Sequence, residues 1–510
     1  MVQNNKIFGS LRALALFLCL FLATLPAVLQ AAPVQTAPVQ TVALRAAALP
    51  WHLDEPDSAN AQRLTDPFGS TAISMLAIDL DSGDTLWSAS PRQSLTPASS
   101  MKAITTGMGF LTLGSRFRFC TTVRFSGEIR GDTLHGNLVL TGGGDPAFGS
   151  TLFDEESEES IFGAIADMLH QHHVAYITGD LVADSRIFSD DPVHQAWNWE
   201  DIGNGYGAGV HGLNFNENKF VVTVSYRPDN GISVQWPQWF LQSGNRARID
   251  RQPFRAGQSP SLIVFAAPHS AEFTLVARIP ENSQSYEAEA AITRPGLLCM
   301  EKLGNHLRLA GTTYGGSVRM AGPLDSAVSQ IAGQLCSPPY PALAKKINEL
   351  SHNIMADAIC KTIGLQTTGY GSFESGAWVM DSLLRAQLPN QQSFRILDGS
   401  GLARANALSA SLFCDFLGLM YRSPWFDNYY NCLVGVDAPA FATFLSGVAP
   451  RTTLRLKSGS MSGVRCYTGY VRSMKGKMVA FAWMVNGYTG SATEAKKSAE
   501  VWLKRLIEMN

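Results

Sequence analysis

Several things are missing from this 510-residue chain, and each absence removes a class of explanation. Charge of one sign is missing: 40 basic against 42 acidic side chains leave a formal charge of −2. That balance gives no electrostatic reason to bind nucleic acid. No two cysteines form a C-x-x-C pair, so there is no zinc-knuckle or dithiol redox motif. There is no internal repeat of the kind that builds solenoids. Beyond residue 25 no apolar run is long enough to span a bilayer. Charged residues make up 16% and the hydrophobic set 45%, a globular balance rather than a disordered one. At this length two or three domains are expected.

What is present begins with "MVQNNKIFGSLRALALFLCLFLATLPAVLQAAPVQ". Lys6 and Arg12 precede the apolar run from Ala13 to Leu25, and Ala31, Ala32 and Pro33 follow. This order predicts a secretory signal over residues 1–32, cleaved near Ala31 or Ala32. The competing reading is an uncleaved anchor. Cys19 follows Leu18, where a lipidation signal needs a small residue. An exported chain without Cys19 keeps seven cysteines, Cys120, Cys299, Cys336, Cys360, Cys414, Cys432 and Cys466. An oxidising compartment permits disulfides, and the odd number leaves at least one thiol free.

The texture then changes several times. Residues 33–60 begin Pro/Ala/Gln-rich and read as a linker. "TAISMLAIDLDSGDTLWSAS" alternates apolar residues on either side of a turn, predicting a hairpin. A helix is expected from about Ser99 to Leu113, with Pro97 at its start. From Phe117 to about Gln334 the chain is strand-rich, and from about Tyr340 to Leu419 it is helical. Strands return in "TLRLKSGS" and "VRCYTGYVRSMKGKMVAFAWMVN". In the last segment Trp502, Leu503, Leu506 and Ile507 recur at helical spacing, as for a helix covering a sheet. A membrane-surface role for this helix is the alternative. The order hairpin–helix, β-rich stretch, helices, hairpin–helix suggests one α/β domain interrupted by an insertion.

Three short motifs carry the chemistry. In "SLTPASSMKAITTGMGF" Ser99 lies three before Lys102 and Ser100 two before it. On a helix only Ser99 shares a face with the lysine. A serine at a helix N-terminus sits near unpaired N–H groups, which favour developing negative charge. A lysine one turn on can take its proton if its surroundings hold it neutral part of the time. In "INELSHNIMADAICKTI", Ser351 and Asn353 flank His352 between two apolar-periodic segments. That placement predicts a turn aiming both side chains at one cleft. In "TLRLKSGSMSG", Lys457, Ser458 and Gly459 close a predicted strand whose edge can align an extended peptide. Lys457 and Ser458 can hold a carboxylate, and Gly459 allows close approach.

In this order the three motifs resemble the set of the penicillin-recognising serine acyltransferases. Within them the sequence is similar to the D-alanyl-D-alanine carboxypeptidase/endopeptidase family, low-molecular-mass penicillin-binding proteins with a large insertion. Ser99 and Ser351 stand 252 positions apart (351 − 99), and the family places extra domains in that gap. "LTGGGDPAF", "WNWEDIGNGYGAGVHGLNFNENKF" and "LDGSGLARANALSA" are also family-like. Ser458 stands where threonine is commoner and keeps the hydroxyl.

The resemblance implies an α/β penicillin-binding protein/β-lactamase-like domain, with an antiparallel sheet covered by helices plus an all-α part. Residues 61–116 and 335–510 would form it, interrupted by a β-rich insertion over 117–334. It further implies a periplasmic enzyme without cofactor or metal, acting on peptidoglycan stem peptides and blocked by β-lactams. Ser99 would be the acyl-ester nucleophile, Lys102 the proton acceptor, Ser351 a proton relay, and Asn353 a positioning group. Lys457, Ser458 and Gly459 would bind substrate, and the N–H groups of Ser99 and Ser460 would form the oxyanion hole. Carboxypeptidase and endopeptidase action both break a D-alanyl bond, so the motifs serve either. They carry no signal of oligomeric state.

Two rival readings compete with this one. A β-lactamase on the same fold would need a hydrolytic group, and no E-x-x-L-N string is present. A non-catalytic wall-binding or β-lactam-sensing protein would not need the intact motif residues. Elsewhere, His170, His172 and His173 cluster, but without a carboxylate or cysteine at ligand spacing they read as a solvated helix end. Trp197, Trp199, Trp236 and Trp239 read as core residues before sugar-stacking ones. Asp145 and Asp201 are assigned structural roles, and "FDEESEES" (153–160) is expected to be a solvated acidic loop.

Overall fold

The computed structural model describes residues 71–509 apart from 229–230, 282–283, 324, 326–329, 392, 436–437, 439–443 and 445–453. The expected signal, its Cys19 and the whole linker over 33–60 lie outside the described residues. Among the described residues no helix is long and apolar enough to cross a membrane.

The central sheet draws its strands from both ends of the chain. Its order is Val434–Gly435, Leu454–Met461, Val464–Arg472, Met478–Asn486, Ala72–Asp79 and Thr85–Ala89, all antiparallel. The alternation read in the sequence becomes two buried faces, because successive side chains of a strand point to opposite sides. Leu76, Ile78, Ala480, Ala482 and Met484 face the helices, in one core cluster with Ile104, Met108 and Phe416. Met75, Ala77, Phe481, Trp483 and Val485 face the other way, onto Trp502, Leu503 and Leu506 of the helix Ala492–Met509. The expected terminal helix therefore covers the sheet with its apolar face.

Under the first face runs the helix Met101–Thr112, buried from Met101 to Phe110. Its glycines let rings approach its axis. A Cβ on Gly109 would lie 1.9 Å from the Tyr340 hydroxyl, which donates to the Thr106 carbonyl at 2.7 Å. Around it stand the helices Tyr340–Glu349, Asn353–Thr368, Phe373–Gln387 and Ala410–Tyr421. The sequence texture predicted this helical stretch.

Between Cys120 and Cys336 the described residues form two three-stranded sheets and a seven-stranded one. They share a core that includes Val123, Phe162, Phe220, Leu275 and Leu303. Cys120 opens the first strand of the larger sheet and Cys336 closes its last, paired in register and joined by a disulfide across 216 positions. Cys299, Cys360, Cys414, Cys432 and Cys466 are buried free thiols. Spacing could not single out the pair, because only folding brings these strands side by side.

The acidic run 153–160 departs from expectation. Asp154–Glu156 form a short 3-10 turn, and Ser157 caps the helix Glu158–Gln171 by accepting from the Ser160 N–H. Glu156 is 4% exposed rather than solvated. Burial, then Glu155, raises its carboxyl to about 7. Its charge in turn adds to the burial that raises Asp145 well above the usual range. Trp236 and Trp239 pack with Phe220 and Phe240, whereas Trp199 is 59% exposed against Phe265. His172 rests edge-on against Phe125.

Candidate active site

At one end of the central sheet, three segments far apart in sequence meet. The first is the entry to the buried helix. A 3-10 turn, Ala98–Ser100, precedes the α-helix proper, with Ala98 in the left-handed region at φ 47°. The start is tighter than the sequence suggested, yet the three-residue spacing still aligns Ser99 with Lys102. Ser100 turns inward and is 0% exposed. Ser99 is half-buried and lines a cavity of about 400 Å³.

Lys102 is itself 0% exposed. Its Nζ donates to Ser99 Oγ at 3.0 Å, to Asn353 Oδ1 at 2.6 Å and to the Ser400 carbonyl at 2.7 Å. Three acceptors use its full donor capacity and fix its direction. Burial lowers its pKa to about 8, opposed by the carboxylates of Asp357 and Asp398. A lysine in this state is poised to exchange a proton near neutral pH.

The second segment joins the helices Tyr340–Glu349 and Asn353–Thr368, and Ser351 bends it at φ 55°. Ser351 Oγ accepts from Lys457 Nζ at 3.0 Å. Asn353 Nδ2 donates to the Tyr206 carbonyl at 2.7 Å, so the amide bridges Lys102 and the β-rich stretch. His352 points the other way and is 8% exposed. Its Nε2 lies 2.6 Å from Glu217 Oε2, and Ser150 donates to the other Glu217 oxygen at 2.9 Å. Burial pushes the Glu217 carboxyl up, but His352, Lys219 and Ser150 outweigh it and hold it at about 2.

The third segment is the strand Leu454–Met461. Lys457 is 2% exposed, and its pKa is pushed well below the ordinary value by burial and then by the charge of Lys102. Ser458 is half-buried and shares a second cavity, of about 300 Å³, with Ser351 and Lys457. Gly459 lies against the Ser99 turn: a Cβ there would sit 2.4 Å from the Pro97 carbonyl oxygen and 2.8 Å from Ser100 N. Ser460 is exposed and lines the same cavity as Ser99. Ser99, Ser351, Asn353 and Ser460 thus line the first cavity and Ser351, Lys457 and Ser458 the second, while Lys102 bonds Ser99 and Asn353 and Gly459 lies against the Ser99 turn.

Sequence reasoning missed the supports of this cleft. Asp357, one turn after Asn353, accepts the Gly399 and Ser400 N–H groups at 2.8 Å each and so fixes the carbonyl that holds Lys102. Burial, then Asp398, raises Asp357 to about 8. Asp398 accepts the Trp197 indole N–H at 2.8 Å, which ties the β-rich stretch to the lysine's surroundings. Asp201, read as structural, accepts from the Tyr206 hydroxyl at 3.0 Å at the cavity wall. The strings holding Tyr206, Glu217, Asp398 and Ser400 stood out in the sequence, but nothing there assigned them roles. The histidine cluster lies outside the cleft, and among the described residues no group of His, Cys, Asp and Glu has metal-site geometry.

The model of the D-Ala-D-Ala carboxypeptidase 3 (S13) family matches residues 58–506. A D-alanyl-D-alanine carboxypeptidase of Actinomadura sp. (strain R39) is 26% identical over 455 residues, covering 86% of this chain and 82% of the relative. The D-alanyl-D-alanine carboxypeptidase DacB of Haemophilus influenzae is 23% identical over 414 residues, covering 78% of this chain and 82% of the relative. The crystal structure of penicillin binding protein 4 (dacB) from H. influenzae superposes with a TM-score of 0.76 at 20% identity, over 89% of this chain and 100% of that one. That likeness establishes the penicillin-binding fold expected from the motifs.

Proposed function

Since this chain belongs to the D-Ala-D-Ala carboxypeptidase 3 (S13) family and is a serine DD-peptidase, we propose that Ser99 is its nucleophile and Lys102 its proton acceptor. The contact between Ser99 Oγ and the buried Lys102 Nζ carries the reading. A hydroxyl is a weak nucleophile until a base takes its proton, and a lysine lowered to about 8 supplies that base near neutral pH.

Ser99 Oγ attacks the carbonyl of the penultimate D-alanine while Lys102 Nζ accepts the hydroxyl proton. The N–H groups of Ser99 and Ser460 hold the developing oxyanion, at about 3–4 kcal/mol per donor. Ser351, bridged to Lys457, passes a proton to the leaving amine, and the C–N bond breaks to leave an acyl ester on Ser99. Lys457 and Ser458 bind the carboxylate of the departing residue. That anion opposes the depression of Lys457 and favours the lysine's charged form. Asn353 orients Lys102 and meets the substrate amide, and water then hydrolyses the ester.

The substrates are peptidoglycan stem peptides and their cross-links. A β-lactam enters the same route and stalls as the acyl-enzyme; the H. influenzae penicillin binding protein 4 has been crystallised with a β-lactam. The site of action is the periplasm, a reading supported by the leader-like residues 1–32 and by the Cys120–Cys336 disulfide.

Digestion of D-alanyl-D-alanine pentapeptides by the wild type, Ser99→Ala and Ser100→Ala tests the assignment. Wild type and Ser100→Ala should release D-alanine, and Ser99→Ala should not. Release by Ser99→Ala at the wild-type rate would overturn it.

A further inference from the structure

Ser351, the group assigned to protonate the leaving amine, belongs to neither of the helices that flank it. The helix Tyr340–Glu349 is capped at its end by Leu350, and the helix Asn353–Thr368 has His352 as its N-cap. One residue remains between the two caps. The His352 N–H donates to the Ile347 carbonyl at 3.1 Å, closing the first helix across a Ser351 at φ 55°. Such a bond ordinarily spans a glycine, because a Cβ is crowded in the left-handed region. A serine held there is strained, and strained residues persist only where their surroundings over-determine them.

His352 supplies those surroundings. Its Nδ1 accepts from the Met355 N–H at 3.4 Å, and its Nε2 faces Glu217 Oε2 at 2.6 Å. Both ring nitrogens are used, which fixes the ring plane. Glu217 belongs to a run of three left-handed residues, Asn216, Glu217 and Asn218, at φ 52°, 55° and 49°. Asn218 pins that run: its Oδ1 accepts from the Phe215 N–H at 2.9 Å, and its Nδ2 donates to the Gly209 carbonyl at 2.8 Å. The Glu217 carboxylate is further fixed by Ser150 Oγ at 2.9 Å and by Lys219 Nζ at 3.2 Å. Strain thus lies at both ends of one buried contact between the β-rich stretch and the turn of Ser351. Asn353 needs no such support. It opens a buried helix, and Lys102 and the Tyr206 carbonyl already hold its amide.

We propose that Glu217 is a positioning residue for catalysis: through His352 it holds Ser351 Oγ beside Lys457 Nζ, where the serine can protonate the leaving nitrogen. The inference rests on the assignment of Ser351 as the proton relay. Breaking an amide C–N bond needs that proton, whereas the oxygen of an ester departs with far less help. Loss of the Glu217–His352 contact therefore slows amides selectively.

The test measures kcat/KM on a pentapeptide ending in D-alanyl-D-alanine and on its ester counterpart ending in D-alanyl-D-lactate, since this ratio reports the steps up to the acyl-enzyme. The proteins are the wild type, Ser351→Ala, Glu217→Gln, His352→Asn and Ser351→Ala combined with Glu217→Gln, each assayed below its melting transition. His352→Asn keeps a capping side chain for the helix, but the shorter residue stops short of Glu217. It therefore separates the contact from the cap. Glu217→Gln and His352→Asn should each lose about tenfold on the amide and less than about threefold on the ester. In the Ser351→Ala background, Glu217→Gln should cost less than about a further twofold, because its effect passes through the missing hydroxyl. An equal fall on both substrates, wild-type rates in His352→Asn, or a full further loss in the combined variant would overturn the proposal. If Ser351→Ala itself slows amide and ester alike, the relay assignment fails and takes the proposal with it. An amide-selective Ser351→Ala beside an unselective Glu217→Gln overturns the positioning role alone.

Discussion

Burial lowers the pKa of two lysines in the cleft, Lys102 and Lys457. A base must be neutral to accept a proton, and burial lowers Lys102 to about 8. Acylation by penicillin at sub-saturating concentration should therefore rise with pH and level off above about 8. Stopped-flow or gel-based labelling across pH 6–10 checks this, and a flat profile would contradict the assignment. Lys102→Met should slow acylation by about 10²–10⁴. Glu217 gives a second prediction. Its folded pKa, about 2 against an ordinary 4.5, is depressed, so its stabilisation is present above 4.5 and lost as pH falls toward 2. Glu217→Gln should cost about 1–3 kcal/mol at neutral pH and flatten that acid limb in denaturant titrations. The Ser99–Lys102 pairing was legible because a three-residue spacing on a helix is local. The His352–Glu217 pair was not, because nothing local marks a histidine as the partner of a carboxylate 135 positions away.

Between elements, the site depends on how closely the strand Leu454–Met461 approaches the turn at Ser99. Gly459 permits that approach, since any Cβ would meet the backbone of Pro97 and Ser100 below 3 Å. Gly459→Ala should push the strand outward and displace the Ser460 N–H, the donor proposed above for the substrate oxyanion. A shift of about 1 Å costs roughly 10² in rate, whereas the overpacking costs about 1–3 kcal/mol of stability. Penicillin labelling beside thermal melting separates the two; equal acylation in a folded variant would argue against the strand's role. Alternation in the strands and the spacing of Trp502, Leu503, Leu506 and Ile507 were readable because each element's period records its buried face. The 3-10 entry at Ala98 was not readable, because its left-handed φ is imposed by tertiary contacts rather than by the residue type.

For the whole molecule, the disulfide ties the two ends of the β-rich stretch to each other. A closed loop of 216 positions restricts the unfolded chain strongly, and losing it should cost about 2–5 kcal/mol. Cys120→Ser with Cys336→Ser should therefore lower the melting temperature while leaving acylation at 25 °C largely intact, because the catalytic groups lie elsewhere. Loss of acylation in a protein that is still folded would mean that the stretch holds the cleft open as well as flanking it. Trp197, which reaches Asp398 from that stretch, makes this a real alternative outcome. Composition and texture disclosed a β-rich segment within an α/β frame, but its contacts with the cleft were hidden. They run through Trp197, Tyr206 and Glu217, which local pattern marks only as aromatic or charged.

The most direct measurement is peptide mapping of the purified protein after brief exposure to benzylpenicillin. Trypsin cutting after Arg92 and Lys102 isolates a peptide that carries Ser94, Ser99 and Ser100. Fragmentation by mass spectrometry should place the penicilloyl mass on Ser99. An adduct on Ser100, or on any other peptide, would contradict the account.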